Sequence, residues 1–322
     1  MAVTLEQAKL NTQDMLVKGT IDEFQKSNYL LNNLTFADVV SPSGGGATLT
    51  YAYNRLKTQP TAAFRAINSD YTPQEVTKER KSVDLAIFGG SYEIDRVIAS
   101  MGGVENELTL QARQKIKAAG ALFNDTVING NRTTNTNAFD GLDVAIKGSD
   151  TENELAKPID LSTAAAIETN FMDFLDNLDE TLAAMDGTPS ALLMSSKMFV
   201  KFKAVIRRAT MYQETKDNFG KIIPMYDGIP LIDLGAKSGS NDPVVSIDPK
   251  KGTTSIYAVR FGLDGFHGVT VAGSSMITSR LPDFSTAGAV KKGDVEMVAA
   301  VALKATKAAA VLRNIQIKAA TA

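Results

Sequence analysis

Cysteine is absent from all 322 residues, so the chain forms no disulfide, no thiolate metal site and no cysteine nucleophile. Its stability has to come from packing or from assembly. Histidine is nearly absent too. His267 is the single one, which excludes a histidine-rich metal site, an H-E-x-x-H motif and a two-histidine acid/base pair. One histidine can still serve a triad, but no G-x-S-x-G elbow, S-x-x-K, Walker A or G-x-G-x-x-G pattern accompanies it. No apolar run approaches the ~20 residues of a membrane span. The start, Met1-Ala2-Val3-Thr4-Leu5-Glu6, lacks the basic and apolar regions of a signal peptide, and synthesis in the cytoplasm is expected. Charge of one sign is also missing: 34 basic residues face 36 acidic ones, with no basic block in either half. Tight sequence-independent DNA binding is not expected from such a balance.

What is present is a composition 44% hydrophobic, enough for one large domain or two medium ones with real cores. From Leu5 to about Leu34, helical hints at Leu5, Leu16, Phe24 and Leu31 sit in a polar-rich run that packs poorly alone. Ser41-Pro42-Ser43-Gly44-Gly45-Gly46 is flexible punctuation. Thr48 to Arg55 then alternates as a strand with Leu49, Tyr51 and Tyr53 on one face. Leu56 to Lys81 is polar, carries Pro60 and Pro73, and offers little beyond Phe64, Ile67 and Tyr71 to bury. A strand pattern resumes at Val83-Asp84-Leu85-Ala86-Ile87-Phe88, so the stretch reads as a long two-stranded ribbon, which is marginal alone in water.

Val104 to Ile128 is the strongest helix of the first half, with Leu108, Ala112, Ile116, Ala119, Phe123 and Val127 at spacings of three and four. Asn129-Gly130 stops it, Asn131 to Asn137 is a polar loop, and Phe139-Asp140-Gly141-Leu142 leads back into order. A second helix spans about Ser162 to Met185, apolar at Ile167, Phe171, Phe174, Leu178, Leu182 and Met185, with Ser162 as N-cap and Gly187 as stop. Ala191-Leu192-Leu193-Met194 is a short buried strand, and Ser195 or Ser196 caps a third helix to about Arg208. Strands follow at Gly228-Ile229-Pro230-Leu231-Ile232, Ser255 to Phe261 and Gly268 to Val271. Alanines in Asp294 to Ile317 favour helix by propensity, but Val295, Met297, Ala299, Val301 and Leu303 alternate, as do Val311, Arg313, Ile315 and Ile317, and the segment is read as strand. Helices mixed with non-alternating strands and no internal repeat make an α+β chain.

The order of these parts resembles the Hong Kong 97 family of major capsid proteins over nearly the whole chain. A long helix ending in Val127-Ile128-Asn129-Gly130, a polar loop and Phe139-Asp140-Gly141-Leu142 is similar to that family's spine helix and glycine-marked return. Leu192-Leu193-Met194-Ser195, a helix through Phe199, Phe202 and Ile206, then Asn218-Phe219-Gly220 and Gly228-Ile229-Pro230-Leu231 resembles its axial domain. Val295 to Ile315 is similar to its last long strand pair. The resemblance implies an N-terminal arm at 1–46, an extended β-ribbon (E-loop) at 47–88, a peripheral domain with the spine helix at 89–150, an axial domain at 151–270 and peripheral return strands at 271–322. It further implies an icosahedral phage or prophage capsid of pentamers and hexamers around double-stranded DNA held by confinement, with no enzyme activity, cofactor, metal or membrane. Assembly in a bacterial host cytoplasm, beside a portal, is implied as well. Two departures stand out. Many relatives place a proline near the equivalent of Lys307 or Ala308, and this chain does not. Some begin with a long scaffolding segment, whereas Met1 here lies almost directly before the arm, and a separate scaffolding protein is expected.

Individual residues give no catalytic, cofactor-binding or metal site. Gly44-Gly45-Gly46 lacks the lysine and helix start of a P-loop and reads as a hinge. His267, in Gly265-Phe266-His267-Gly268, reads as a turn histidine, with a pH-sensitive interface as the minor reading. Asp173, Asp176, Asp179 and Glu180 read as a solvated acidic face. Asn33-Leu34-Thr35 and Asn131-Arg132-Thr133 match the glycosylation pattern, which has no meaning in a bacterial cytoplasm. Lys57 lies where some relatives carry a crosslinking lysine, but no signature marks an asparagine or carboxylate partner. Two other functions compete: an encapsulin-like shell that differs by its enzyme cargo, and a hydrolase or transferase with an unrecognised site.

Overall fold

The long helix Glu107–Asn129 forms because one face of the sequence is apolar at helical spacing: Ala112, Ile116, Ala119, Phe123, Val127 and Ile128 are buried along it. A computed structural model describes residues 29–40, 48–58, 60–101, 107–211, 213–216, 222–272 and 277–319. In chain order its helices are α1 (Tyr29–Asn33), α2 (Arg96–Ser100), α3 (Glu107–Asn129), α4 (Leu142–Ile146), α5 (Ala164–Ala183) and α6 (Ser196–Arg208). Its strands are β1 (Phe36–Val40), β2 (Thr50–Leu56), β3 (Lys78–Asp84), β4 (Ala86–Asp95), β5 (Glu152–Asp160), β6 (Ala191–Met194), β7 (Gln213–Lys216), β8 (Ile222–Tyr226), β9 (Ile229–Asp233), β10 (Thr253–Val259), β11 (Phe266–Val271), β12 (Ile277–Arg280), β13 (Val290–Leu303) and β14 (Ala309–Gln316). Among these helices none is long and apolar enough to cross a membrane.

Strand β13 organises the first sheet. Its 14 residues are long enough to pair with β4 along one edge and with β12 and then β11 along the other, while β1 extends the sheet beyond β11. Helix α3 packs against β4 and β13 through an aromatic cluster: Phe88 stacks on Phe123 at 6.1 Å, and Phe36 and Phe139 approach the same ring at 6.2 and 6.1 Å. Phe123 is completely buried, a burial worth about 1.5–3 kcal/mol in apolar transfer. The end of α3 explains the Asn129-Gly130 and Asp140-Gly141 pairs. A Cβ on Gly130 would lie 2.3 Å from the Phe139 carbonyl oxygen, and one on Gly141 would lie 2.6 Å from that of Thr126. Two glycines let the returning chain touch the helix terminus, where the Gly141 N–H donates to the Gly130 carbonyl at 2.8 Å.

The second sheet runs β5-β14-β10-β6-β9-β8-β7 and mixes parallel and antiparallel pairs. Its central strands are buried on both faces, so they read as continuous apolar runs and not as alternating ones. Leu193, Tyr257, Val259 and Val311 join the core under α3, while Leu192, Met194, Ala258, Ala310 and Leu312 join a second core under α5 and α6. The alanine-rich end of the chain is therefore strand, with only a short 3-10 turn at Thr306–Ala308 between β13 and β14. Small side chains there let two layers close on one sheet.

Several sequence expectations change in detail. The strand read across Val83 to Phe88 is two: β3 ends at Asp84, and β4 begins at Ala86 in a different sheet. Alternation alone cannot register a change of partner. Helix α5 is capped by Thr163, not Ser162, since its hydroxyl accepts from the Ala166 N–H at 3.1 Å. Of the two serines before α6, Ser195 is the cap. Strands β1, β5, β7, β8 and β12 escape the sequence reading; they are short or polar. The hints at Leu5, Leu16 and Phe24 and the Gly44-Gly45-Gly46 hinge lie outside the described residues, whereas Leu30, Leu31 and Leu34 enter the first core.

Candidate assembly surface

Strands β2 and β3 form an isolated two-stranded sheet, which the described residues hold to the body only at its root. On one side the Tyr53 hydroxyl donates to the Leu303 carbonyl at 2.8 Å, and Arg55 donates to the carbonyls of Leu303 and Lys304 at 2.7 and 2.9 Å. Burial pushes the Tyr53 phenol up from its ordinary value. On the other side Asp84 accepts from the Thr50 hydroxyl at 2.6 Å and meets the Arg132 guanidinium at 2.6 Å. The Thr50 hydrogen bond, then Arg132, holds the Asp84 carboxyl below the usual carboxylate range.

Beyond the root the ribbon loses both sheet and core. The described residues from Lys57 to Gln74 are solvated; beyond the Lys57 backbone bond to Thr77, the rungs across it involve side chains: Thr58 to Thr77 at 2.9 Å, and Thr61 to Gln74 at 2.7–3.0 Å. At the turn, Arg65 lies over the Tyr71 ring at 5.6 Å, and Ser69 bonds back to the Ala66 carbonyl. Phe64 and Ile67 are 107% and 92% exposed. Two such side chains stand fully in water, and none of the described residues covers them.

The remaining sequence candidates scatter. Lys57 is exposed at the ribbon, its backbone N–H donating to the Thr77 carbonyl at 2.8 Å. Asp173, Asp176, Asp179 and Glu180 are all exposed along α5, Asp179 accepting from the Tyr226 hydroxyl at 2.7 Å. Among the described residues no group of three or more histidine, aspartate or glutamate side chains is placed to hold a metal ion. Asn131 closes its own loop by accepting from the Thr133 N–H at 2.8 Å. His267 corrects the sequence reading: it is not in a turn but fully buried in β11, opposite Ala302 of β13. Gly268 suggested a turn, yet it is glycine because the Phe36 ring stands 2.4 Å from where its Cβ would be.

Sequence reasoning missed a half-buried charge cluster. Arg313 of β14 binds Asp143 of α4 and Glu152 of β5, each at 2.6 Å, and the Tyr257 hydroxyl donates to Asp143 at 2.9 Å. These groups lie far apart in the chain, and no local pattern signals them. The cluster ties α4 to the second sheet, with the Arg313 charge paired to both carboxylates.

No protein-family model matches the chain, and no curated protein does. Solved structures do match. The holo-SrpI encapsulin complex from Synechococcus elongatus PCC 7942 aligns over 100% of this chain and 99% of its own, with a TM-score of 0.64 at 16% identity. The capsid of a native GTA particle aligns over 95% and 93%, with a TM-score of 0.58 at 12% identity. A structure from Mycobacterium phage Bobi aligns over 89% and 90%, with a TM-score of 0.57 at 13% identity. Such identities speak to the fold alone, and they span most of the chain. The chain has the α+β fold of phage capsid and encapsulin shell subunits, the Hong Kong 97 type.

Proposed function

We propose that the chain is the structural subunit of an icosahedral bacteriophage or prophage capsid, assembling with copies of itself into pentamers and hexamers around double-stranded DNA. The observation that carries this reading is the ribbon: on a chain of capsid fold, its apolar tip at Phe64, Ile67 and Tyr71 stands in water, covered by none of the described residues. Extensions of this kind become favourable only when a neighbour covers them. In this reading residues 1–46 are the arm, 47–88 the E-loop, 89–150 and 271–322 the peripheral domain and 151–270 the axial domain. The subunit has no catalytic role, assembles in the host cytoplasm with a separate scaffolding protein and a portal, and confines its DNA without specific contacts. Electron microscopy of the purified protein, alone and with scaffolding protein, tests it. Closed particles with five- and six-fold clusters are expected, and monomers under every condition would overturn it.

Because the fold is shared with an encapsulin shell, a second reading is a shell around an enzyme cargo. Both readings share the assembly and differ in the contents. Particles purified from cells that carry nucleic acid support the first, and particles that carry a stoichiometric protein cargo support the second.

A further inference from the structure

His267 is the single histidine of the chain and is wholly buried where the ribbon root meets the first sheet. Among the described residues, neither of its ring nitrogens has a hydrogen-bond partner. Because side chains alternate across a strand, His267 projects from the face opposite Gly268 and its Phe36 contact. There its ring meets Tyr51 of β2 edge-on at 5.7 Å, and Lys304 covers the same tyrosine at 5.7 Å. The contact is apolar on both sides: a neutral imidazole under a phenol ring.

We propose that His267 is an acid-sensitive latch beneath the ribbon, neutral when the ribbon root is seated and protonated when the root is released. The charges around it set the direction. From β2, Tyr51 brings no charge and Arg55 places its guanidinium on the carbonyls of Leu303 and Lys304, next along the chain from Ala302. From the end of β13 comes the Lys304 ammonium. From the turn before β11 comes Asp264, which is 75% exposed and already bound to Arg260 at 2.8 Å. From β1, Asp38 pairs with Thr270, three positions further along β11. An imidazolium here would be a buried charge beside the Lys304 ammonium, offset only in part by the Gly265 backbone and by Asp264. Moving Tyr51 away admits water to it. The same movement strains the Tyr53 and Arg55 bonds, which end on Leu303 and Lys304, and so loosens that side of the root.

Burial, and then Lys304, holds the imidazole below its ordinary value. The released state therefore takes up its proton near the ordinary pKa of about 6.5, and the seated state only at lower pH. Seating is complete at neutral pH and above, and weakens as pH falls below about 6.5, by about tenfold per pH unit until the seated value is reached. This device lies within one subunit and holds whether or not the chain builds a shell.

A single histidine makes the test direct, since its imidazole resonance in the full-length labelled protein needs no assignment. Hydrogen exchange of β2 and β3, corrected for intrinsic rates, would be compared at about pH 7.5 and about pH 5.5. Wild type is expected to lose protection at the lower pH as the resonance titrates, by at most about tenfold, while His267→Phe, which keeps a ring under Tyr51, loses none. Lys304→Met provides a variant that leaves the buried histidine in place, and its loss should be smaller than that of wild type. Equal protection of wild type at the two pH values would overturn the proposal, and so would an equal loss in His267→Phe.

Discussion

The Arg132 guanidinium stands 2.6 Å from the Asp84 carboxylate and fastens the last residue of the ribbon to the loop that follows the long helix. Both side chains are about two-fifths exposed, so the pair by itself contributes at most about 1 kcal/mol. Asp84 also accepts from Thr50. Asp84→Ala should therefore loosen the root more than Arg132→Ala does, read as faster exchange in β2 and β3 with little change in global Tm. Because the folded Asp84 carboxyl is held low, its contribution is present above the ordinary value of about 3.9 and fades as pH falls further. An Arg132→Ala effect larger than that of Asp84→Ala would mean the root is clamped elsewhere.

Gly141→Ala places a methyl 2.6 Å from the Thr126 carbonyl oxygen and 2.7 Å from that of Ile128. Backbone on both sides leaves it nowhere to go. Destabilisation of about 1–3 kcal/mol is expected, lowering Tm by several degrees. The φ of Gly141 is −88°, which alanine adopts freely, so the loss measured by calorimetry reads the close approach and not backbone strain. An unchanged Tm would show that the return loop can retreat from the helix end.

Replacing Phe64, Ile67 and Tyr71 together by serine removes the apolar tip without touching either core. Subunit stability in urea should change by less than about 0.5 kcal/mol, while particle yield by sedimentation should fall sharply. The companion measurement is hydrogen exchange before and after assembly: residues 57–77 should gain the most protection, with α3 protected in both states. A ribbon equally protected in free subunits would identify it as an internal element.

Purified subunits should bind double-stranded DNA weakly at physiological salt, because a net charge of −2 without a basic stripe offers few phosphates a partner. Fluorescence anisotropy reads this directly. A nanomolar dissociation constant under those conditions would contradict confinement as the means of holding DNA.

The elements most legible in the sequence were those whose signal is local. Helix α3 announces itself through Ala112, Ile116, Ala119, Phe123 and Val127, helix α6 through its Ser195 cap, and the ribbon through alternation at Tyr51 and Tyr53 followed by a stretch with too little apolar surface to bury. The absence of cysteine and of all but one histidine narrows the chemistry before any fold is known. What the tertiary structure alone decided is long-range. That Val83 to Phe88 divides between two sheets, that β1 adds itself beside β11, that Arg313 finds Asp143 and Glu152, and that His267 lies buried under Tyr51 all depend on residues far apart in sequence meeting in space. Periodicity reports how much of a segment faces a core; it carries no information about which distant segment supplies that core, and pairing is where the ribbon root and its histidine were made.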